Sequence, residues 1–190
     1  MRTPRLASCT IALAFIMAMA SAPAVARSGS SSGKTTGALV GFGAGVLLPE
    51  GPFAEFNDPS YFIQSRSLYV EKIVGGRASA YYGDTAGTNG QGGGRVYGFD
   101  FAFLVKFGSA STFGYVFAGA GYGTITYSAP DPTSTTTPPT AVRHSGYDWC
   151  WTGGIGITIK RKFYMEASYV SYQTGPETTE FIPVVIGFQF

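Results

Sequence analysis

The sequence predicts an all-β fold: an eight-stranded antiparallel up-and-down transmembrane β-barrel whose apolar face looks outward. Three observations predict it. Residues 180–190 (EFIPVVIGFQF) split with a period of two into Ile182, Val184, Ile186, Phe188 and Phe190 on one face and Phe181, Pro183, Val185, Gly187 and Gln189 on the other, the pattern of a strand with one wholly apolar face. Residues 96–107 repeat it, with Tyr97, Phe99, Phe101, Phe103, Val105 and Phe107 against Gly98, Asp100, Ala102, Leu104 and Lys106. The connections between strand candidates alternate long and short, as they do in barrels with short turns at one end and loops at the other. An apolar edge strand must be covered, blunted with charge or closed. Closure with the rings outside leaves hydrocarbon as the surrounding solvent.

The first element is not part of the barrel. Arg2 and Arg5, an apolar run over residues 6–20 and Ala24-Val25-Ala26 have the three-part grammar of a secretory signal peptide over residues 1–26. A lipoprotein signal at Leu6-Ala7-Ser8-Cys9 fits less well, because the apolar run follows the cysteine instead of preceding it. Removal of residues 1–26 takes Arg2 and Arg5 from the 13 basic residues, so 11 Lys+Arg balance 11 Asp+Glu. A neutral chain lacks the electrostatic footprint of a nucleic-acid binder. It also takes Cys9, leaving Cys150 with no partner for an internal disulfide.

Residues 27–35 (RSGSSSGKT) carry no apolar pattern and read as a flexible segment ahead of a barrel domain over 36–190. The first strand, 36–48, puts Ala38, Val40, Phe42, Ala44, Val46 and Leu48 outward and Gly41, Gly43 and Gly45 inward, where a crowded lumen needs room. Residues 49–60, with three prolines, are a loop. The second strand, 61–73, alternates weakly, and its first half, with Gln64 and Arg66, is expected to stand above the membrane. Val74-Gly75-Gly76 reads as a tight turn, 77–83 as a short third strand, and 84–95 (DTAGTNGQGGGR) as a loop. The fourth strand is 96–107. The fifth, 113–127, sets Phe113, Tyr115, Phe117, Ile125 and Tyr127 in phase with Gly119, Gly121 and Gly123, and its parity is open because Val116, Ala118 and Ala120 could equally face lipid. Residues 128–146, with four prolines and a threonine run, are expected to be an external loop without strand. The sixth strand, 147–160, alternates Tyr147, Trp149, Trp151, Ile155, Ile157 and Ile159 with Asp148, Cys150, Thr152, Gly154, Gly156, Thr158 and Lys160. Its tryptophans fall where an interfacial girdle would lie. Arg161-Lys162 is a turn, and the seventh strand, 163–173, opposes Phe163, Met165, Ala167 and Tyr169 to Tyr164, Glu166, Ser168 and Val170.

Laid out this way, the chain resembles the small, eight-stranded outer-membrane β-barrel proteins of Gram-negative bacteria, the opacity-type, porin-like surface barrels. The signal peptide, residues 41–52 (GFGAGVLLPEGP), similar to the first strand and loop of such barrels, and the ladder ending in Phe190 carry the resemblance. It implies residence in the cell outer membrane among outer-membrane lipid. It also implies that Val184, Ile186, Phe188 and Phe190 form the signal read by the outer-membrane barrel-assembly machinery. It names no extracellular partner.

Chemistry has few candidates. His144 sits beside Ser145, but neighbours on an extended strand point to opposite faces, which argues against a nucleophile–base pair. Gly41-x-Gly43-x-Gly45 has Val46 where the dinucleotide fingerprint requires its last glycine. One histidine and one mature cysteine make no transition-metal cluster. No catalytic, cofactor-binding or metal residue is therefore assigned, and no cofactor. The inward-parity charges Asp100, Lys106, Lys160 and Glu166, with Glu71 and Arg77 as further candidates, are expected to pair inside the lumen. The expected protein is a non-enzymatic barrel with a side-chain-filled lumen, structural or interacting through its extracellular loops. Three alternatives stand beside it: a narrow channel for small solutes, a lipid-modifying barrel enzyme, and a soluble lipocalin-like ligand-binding barrel, which would have to turn Phe99, Phe101 and Phe103 inward.

Overall fold

The computed structural model describes residues 38–54, 57–87, 93–130, 135, 141–174 and 177–190. The expected signal peptide and the Ser/Gly segment after it lie outside the described residues. In chain order the elements are β1 (Leu39–Glu50), a single helical turn α1 (Gly51–Ala54), β2 (Asn57–Asp58), β3 (Ser60–Glu71), β4 (Val74–Gly87), β5 (Gly93–Gly108), β6 (Phe113–Pro130), β7 (Ala141–Ile159), β8 (Phe163–Thr174) and β9 (Glu177–Gln189). Each long strand pairs antiparallel with its sequence neighbours, and β1 pairs with β9 from Gly41↔Gln189 to Glu50↔Glu180. The result is a closed eight-stranded up-and-down barrel with the two-residue β2 added on the upper end of β4. Closure leaves no barrel strand with an unpaired edge, the condition for backbone to stand in hydrocarbon.

The orientation of the sheet agrees with the period-two pattern. Phe101, Phe103, Phe107, Ile155, Ile157, Met165, Ile186 and Phe188 are exposed on the outer wall, Phe103 at 85%. Tyrosines and tryptophans collect toward the loop end of that wall: Tyr61 stacks on Tyr82, and Tyr122 meets Trp149 edge-on at 5.4 Å. Rings with a polar edge at the loop end and aliphatic or phenyl groups below are the profile of a lipid-facing wall with an interfacial girdle. A soluble barrel with Phe99, Phe101 and Phe103 inside is excluded by the same facts.

The interior has three layers. An apolar layer of Leu39, Leu68, Ala102, Leu104, Phe113 and Phe117 lies toward the short-turn end. A second apolar layer, including Leu47, Phe53, Phe62, Ile125, Tyr127, Phe181 and Val185, lies toward the loops. A charged layer lies between them. Inward glycines make this packing possible: a methyl group on Gly43 would overlap the Tyr164 hydroxyl, and one on Gly156 would overlap the Tyr115 ring. Gly156→Ala is therefore expected to destabilise the barrel by about 1–3 kcal/mol by overpacking, read as a lower urea midpoint for the loss of heat-modifiable gel migration.

Several expectations are corrected. Gln64 and Arg66 do not stand above the membrane; both are buried in the lumen, because β3 turns its even-numbered side chains inward. The tight turn is Lys72-Ile73, with Glu71 opposite Val74, so β4 is a full strand that begins at Val74. Glu71 and Lys160 are exposed at the short-turn end instead of lying in the lumen, Glu71 on outward parity and Lys160 one residue beyond β7. Strand pairing invades the external loops, reaching Ala86↔Gly93 between β4 and β5 and Pro130↔Ala141 between β6 and β7. Cross-strand backbone bonding overrides the local turn chemistry there. The open parity of the fifth strand resolves inward: Phe113, Tyr115, Phe117, Ile125 and Tyr127 are buried, and Val116 faces out.

Candidate functional site: the charged lumen and the covered mouth

The charged layer is assembled from β3, β4, β5, β6, β8 and β9, each contributing at least one inward side chain. Glu166 on β8 is its centre. Its Oε2 accepts from Arg66 Nη1 at 2.9 Å, the Tyr115 hydroxyl at 2.8 Å and Arg77 Nε at 3.2 Å. Its Oε1 accepts from Arg77 Nη2 at 2.6 Å and Gln64 Nε2 at 3.2 Å. Arg77 also pairs with Asp100 on β5, whose other oxygen accepts from Ser79 Oγ at 2.8 Å. Arg66 Nη2 donates to Gln189 Oε1 at 2.5 Å. Two guanidinium groups thus face two carboxylates, and their side chains retain at most 3% exposure.

The rings complete the layer. Arg66 Cζ lies 3.5 Å from the Tyr164 ring centroid and Arg77 Cζ 4.4 Å from that of Phe117. Each cation is held between an acid and an aromatic face, an arrangement that offsets part of the cost of its desolvation. The layer can hold eight strands in register and fill the cylinder. It offers no unsatisfied carboxylate or free base for proton transfer among the groups just named.

Above it, Tyr81 and Tyr172 hydroxyls bond to each other, and the Tyr81 hydroxyl approaches Cys150 Sγ at 3.6 Å. Cys150 is a buried inward filler, as its parity predicts. The mouth is covered by α1 and β2. Phe53 turns into the upper apolar layer and meets Tyr127 edge-on at 5.9 Å. Asn57 Nδ2 donates to the Phe53 carbonyl at 3.0 Å, Thr85 Oγ1 to Asn57 Oδ1 at 2.8 Å and the Gly94 amide to Thr85 Oγ1 at 2.6 Å. These bonds tie the first external loop to β4 and β5.

Of the residues expected in the lumen, the structure brings together Asp100, Glu166 and Arg77. Lys106 stands at the lumen's lower mouth with Nζ 4.9 Å from the Phe113 ring centroid, apart from the network. Arg66, Gln64, Tyr115 and Gln189 belong to the network but were not expected there. The signal for Arg66 is present in the sequence, since it shares parity with Leu68 and Val70 and opposes Tyr61, Ile63 and Tyr69. His144 and Ser145 lie on β7, opposite Tyr127 and Thr126. Ser145 Oγ is 3.3 Å from Thr126 Oγ1, and the His144 side chain lies outside the described residues.

A closed eight-stranded cylinder with a phenyl and aliphatic outer wall and a paired ionic interior defines the class by its fold: a small β-barrel of the outer-membrane type. Among solved structures, the chain is similar to Ail, the attachment invasion locus protein of Yersinia pestis, in complex with the heparin analogue sucrose octasulfate. There the TM-score is 0.50 at 13% identity, covering 80% of this chain and 96% of that one. It is also similar to Neisserial surface protein A, with a TM-score of 0.50 at 9% identity, covering 80% of this chain and 95% of that one. What these likenesses show is the fold. No protein-family model matches the chain, and no curated protein matches it.

Proposed function

We propose that the protein is a non-enzymatic outer-membrane barrel with a side-chain-filled lumen, serving a structural or surface-interaction role through its extracellular loops. The observation that carries this reading is the continuous filling of the interior, with Tyr115, Tyr164, Tyr172, Phe181, Leu47, Leu68 and Leu104 each under 2% exposed across the three layers. An eight-stranded barrel is just wide enough for side chains to fill it, and the Phe53 cover over the mouth supports the same conclusion. The external end, among the described side chains, carries Glu50, Asp58, Asp84, Asp148 and Glu180 against Arg95. A polysulfated ligand like the one bound to Ail suits that end poorly, and a neutral or cationic partner suits it better. At the other end, the outward row of Val184, Ile186, Phe188 and Phe190 is exposed, and we assign it the role of the signal recognised by the barrel-assembly machinery. Planar-bilayer recording of the purified full chain tests the main reading. Silence at both polarities is expected, and a steady open-channel conductance would overturn the filled lumen in favour of a solute path.

A further inference from the structure

Charge is sorted along the barrel axis. Lys72, Lys106, Lys160, Arg161 and Lys162 all lie at the short-turn end, where Glu71 is the one acidic side chain among the described residues. Three of these cations occupy backbone positions that disfavour them. Lys72 has φ 55°, Lys160 φ 52° and Arg161 φ 56°, and among the described residues these are the non-glycine residues with positive φ. The left-handed region is disfavoured for an L-residue with a side chain, and glycine or asparagine would occupy it more easily. The Lys160–Lys162 turn is pinned in that shape. Lys162 N donates to the Ile159 carbonyl at 3.0 Å, Arg161 N to the Ser111 carbonyl at 2.9 Å and Lys160 N to Thr112 Oγ1 at 3.1 Å. Local geometry therefore gives no reason for cations at these positions.

The outer wall above Lys72 has a second feature. Ser67, Gly76 and Ala78 form the floor of a hollow of about 350 Å³ rimmed by Tyr69, Phe101 and Phe103. Gly76 differs from the lumenal glycines, because a methyl group there would approach nothing nearer than the Ala102 carbonyl oxygen at 4.0 Å. The space is open, apolar and turned to the bilayer. Gly76 lies opposite Tyr69 on β3, three residues above Lys72, a rise of about 10 Å, so a headgroup at the turn would lay its hydrocarbon chain along the floor.

We propose that the short-turn end is a binding surface for anionic phospholipid of the periplasmic leaflet, best formed on the β3–β4 hairpin, with the phosphate at Lys72 and an acyl chain in the Gly76–Ala78 hollow. The Lys106 backbone amide donates to the Ile73 carbonyl at 2.7 Å and ties β5 to the hairpin turn, while its side chain turns to the lumen's lower mouth. Lys160, Arg161 and Lys162 extend the same charge around the rim. The occupant is a lipid because the hollow faces hydrocarbon, and an anionic one because cations hold the interface directly below it. A juxtamembrane cation is worth about 1 kcal/mol against an anionic surface, or about fivefold in relative binding.

The test uses the full chain in nanodiscs of equal phosphatidylglycerol and phosphatidylcholine, with the lipids retained on detergent release counted by native mass spectrometry. Phosphatidylglycerol is expected to be retained about fivefold or more over phosphatidylcholine. Lys72→Asn should lower that preference, and Lys72→Asn with Lys160→Asn and Arg161→Gly should bring the two lipids to equal retention. These replacements suit a left-handed backbone, so heat-modifiable migration is expected to be intact. Gly76→Leu, which fills the hollow without touching charge, should lower the number of retained lipids. Equal retention of the two lipids by the unaltered chain, or an unchanged preference in the triple variant, would overturn the proposal. So would capture of anionic cell-wall fragments by this end without any lipid preference. Unchanged retention in Gly76→Leu would overturn the acyl seat. None of these outcomes depends on whether the lumen conducts.

Discussion

Glu166→Ala is expected to destabilise the folded barrel by about 3–5 kcal/mol, the range for breaking a buried ion pair by removing one partner. The carboxylate accepts from both lumenal arginines and from Tyr115 and Gln64. Its loss leaves Arg66 without an acid and Arg77 with Asp100 alone. Removing the charges together is a different matter, because a pair replaced by apolar groups of similar volume no longer carries the desolvation penalty. A double-mutant cycle between Glu166→Gln and Arg66→Met should therefore show strong coupling, the double variant losing much less than the sum of the singles. Urea unfolding in lipid vesicles, followed by gel migration, reads all four corners. A loss under about 1 kcal/mol for Glu166→Ala would mean that the lumen is wet enough to screen its ions.

Ile155→Arg is the second large effect, with an expected loss of about 2–4 kcal/mol for a cation placed near the bilayer midplane on the lipid face of a barrel. Ile155 is 62% exposed and lies midway between Trp151 at the girdle and Ile159 at the short-turn end of β7. On a water-soluble barrel the same change at so exposed a site would fall within about 0.5 kcal/mol of neutral. The sign and size of the effect therefore report which solvent the outer wall meets. Refolding yield into phosphatidylcholine vesicles, with the unfolding midpoint in urea, measures it. A neutral result would contradict a hydrocarbon-facing wall.

Strict alternation made much of this architecture legible. Over residues 97–107 of β5, 147–159 of β7 and 182–188 of β9 one parity is apolar or nearly so while the other mixes small, polar and apolar residues, so both strand and face could be assigned from the sequence. The difficult strand was β3. Gln64, Ser65, Arg66 and Ser67 read as a solvated segment because the acid that satisfies Arg66 is 100 residues away in sequence. Only the lateral order β3-β1-β9-β8 brings the two together. Its lower half misleads too, since Glu71, expected in the lumen, faces outward and Leu68 and Val70 fill the lumen's apolar layer. Lys160 was misassigned for another reason. Parity counted beyond the last paired residue, Ile159, has no meaning once the backbone enters a turn. The external hairpin of β6 and β7 was underestimated because proline and threonine content reports local preference, whereas the ladder from Ile125↔Gly146 to Pro130↔Ala141 is stabilised by the partner strand.

The seam between β1 and β9 also constrains how the molecule can form. It joins residues about as far apart in sequence as the described chain permits, with Val40 and Phe190 exchanging backbone bonds at 3.1 and 2.9 Å. Contacts of such high order are entropically expensive to reach and slow to form. Until β9 arrives, β1 and β8 each present a row of bare amides and carbonyls that hydrocarbon cannot solvate. Insertion is therefore coupled to circularisation: a chain translated as far as Thr174 would hold seven paired strands yet remain at the water interface, and the final thirteen-residue strand acts as the latch that commits the cylinder to the bilayer.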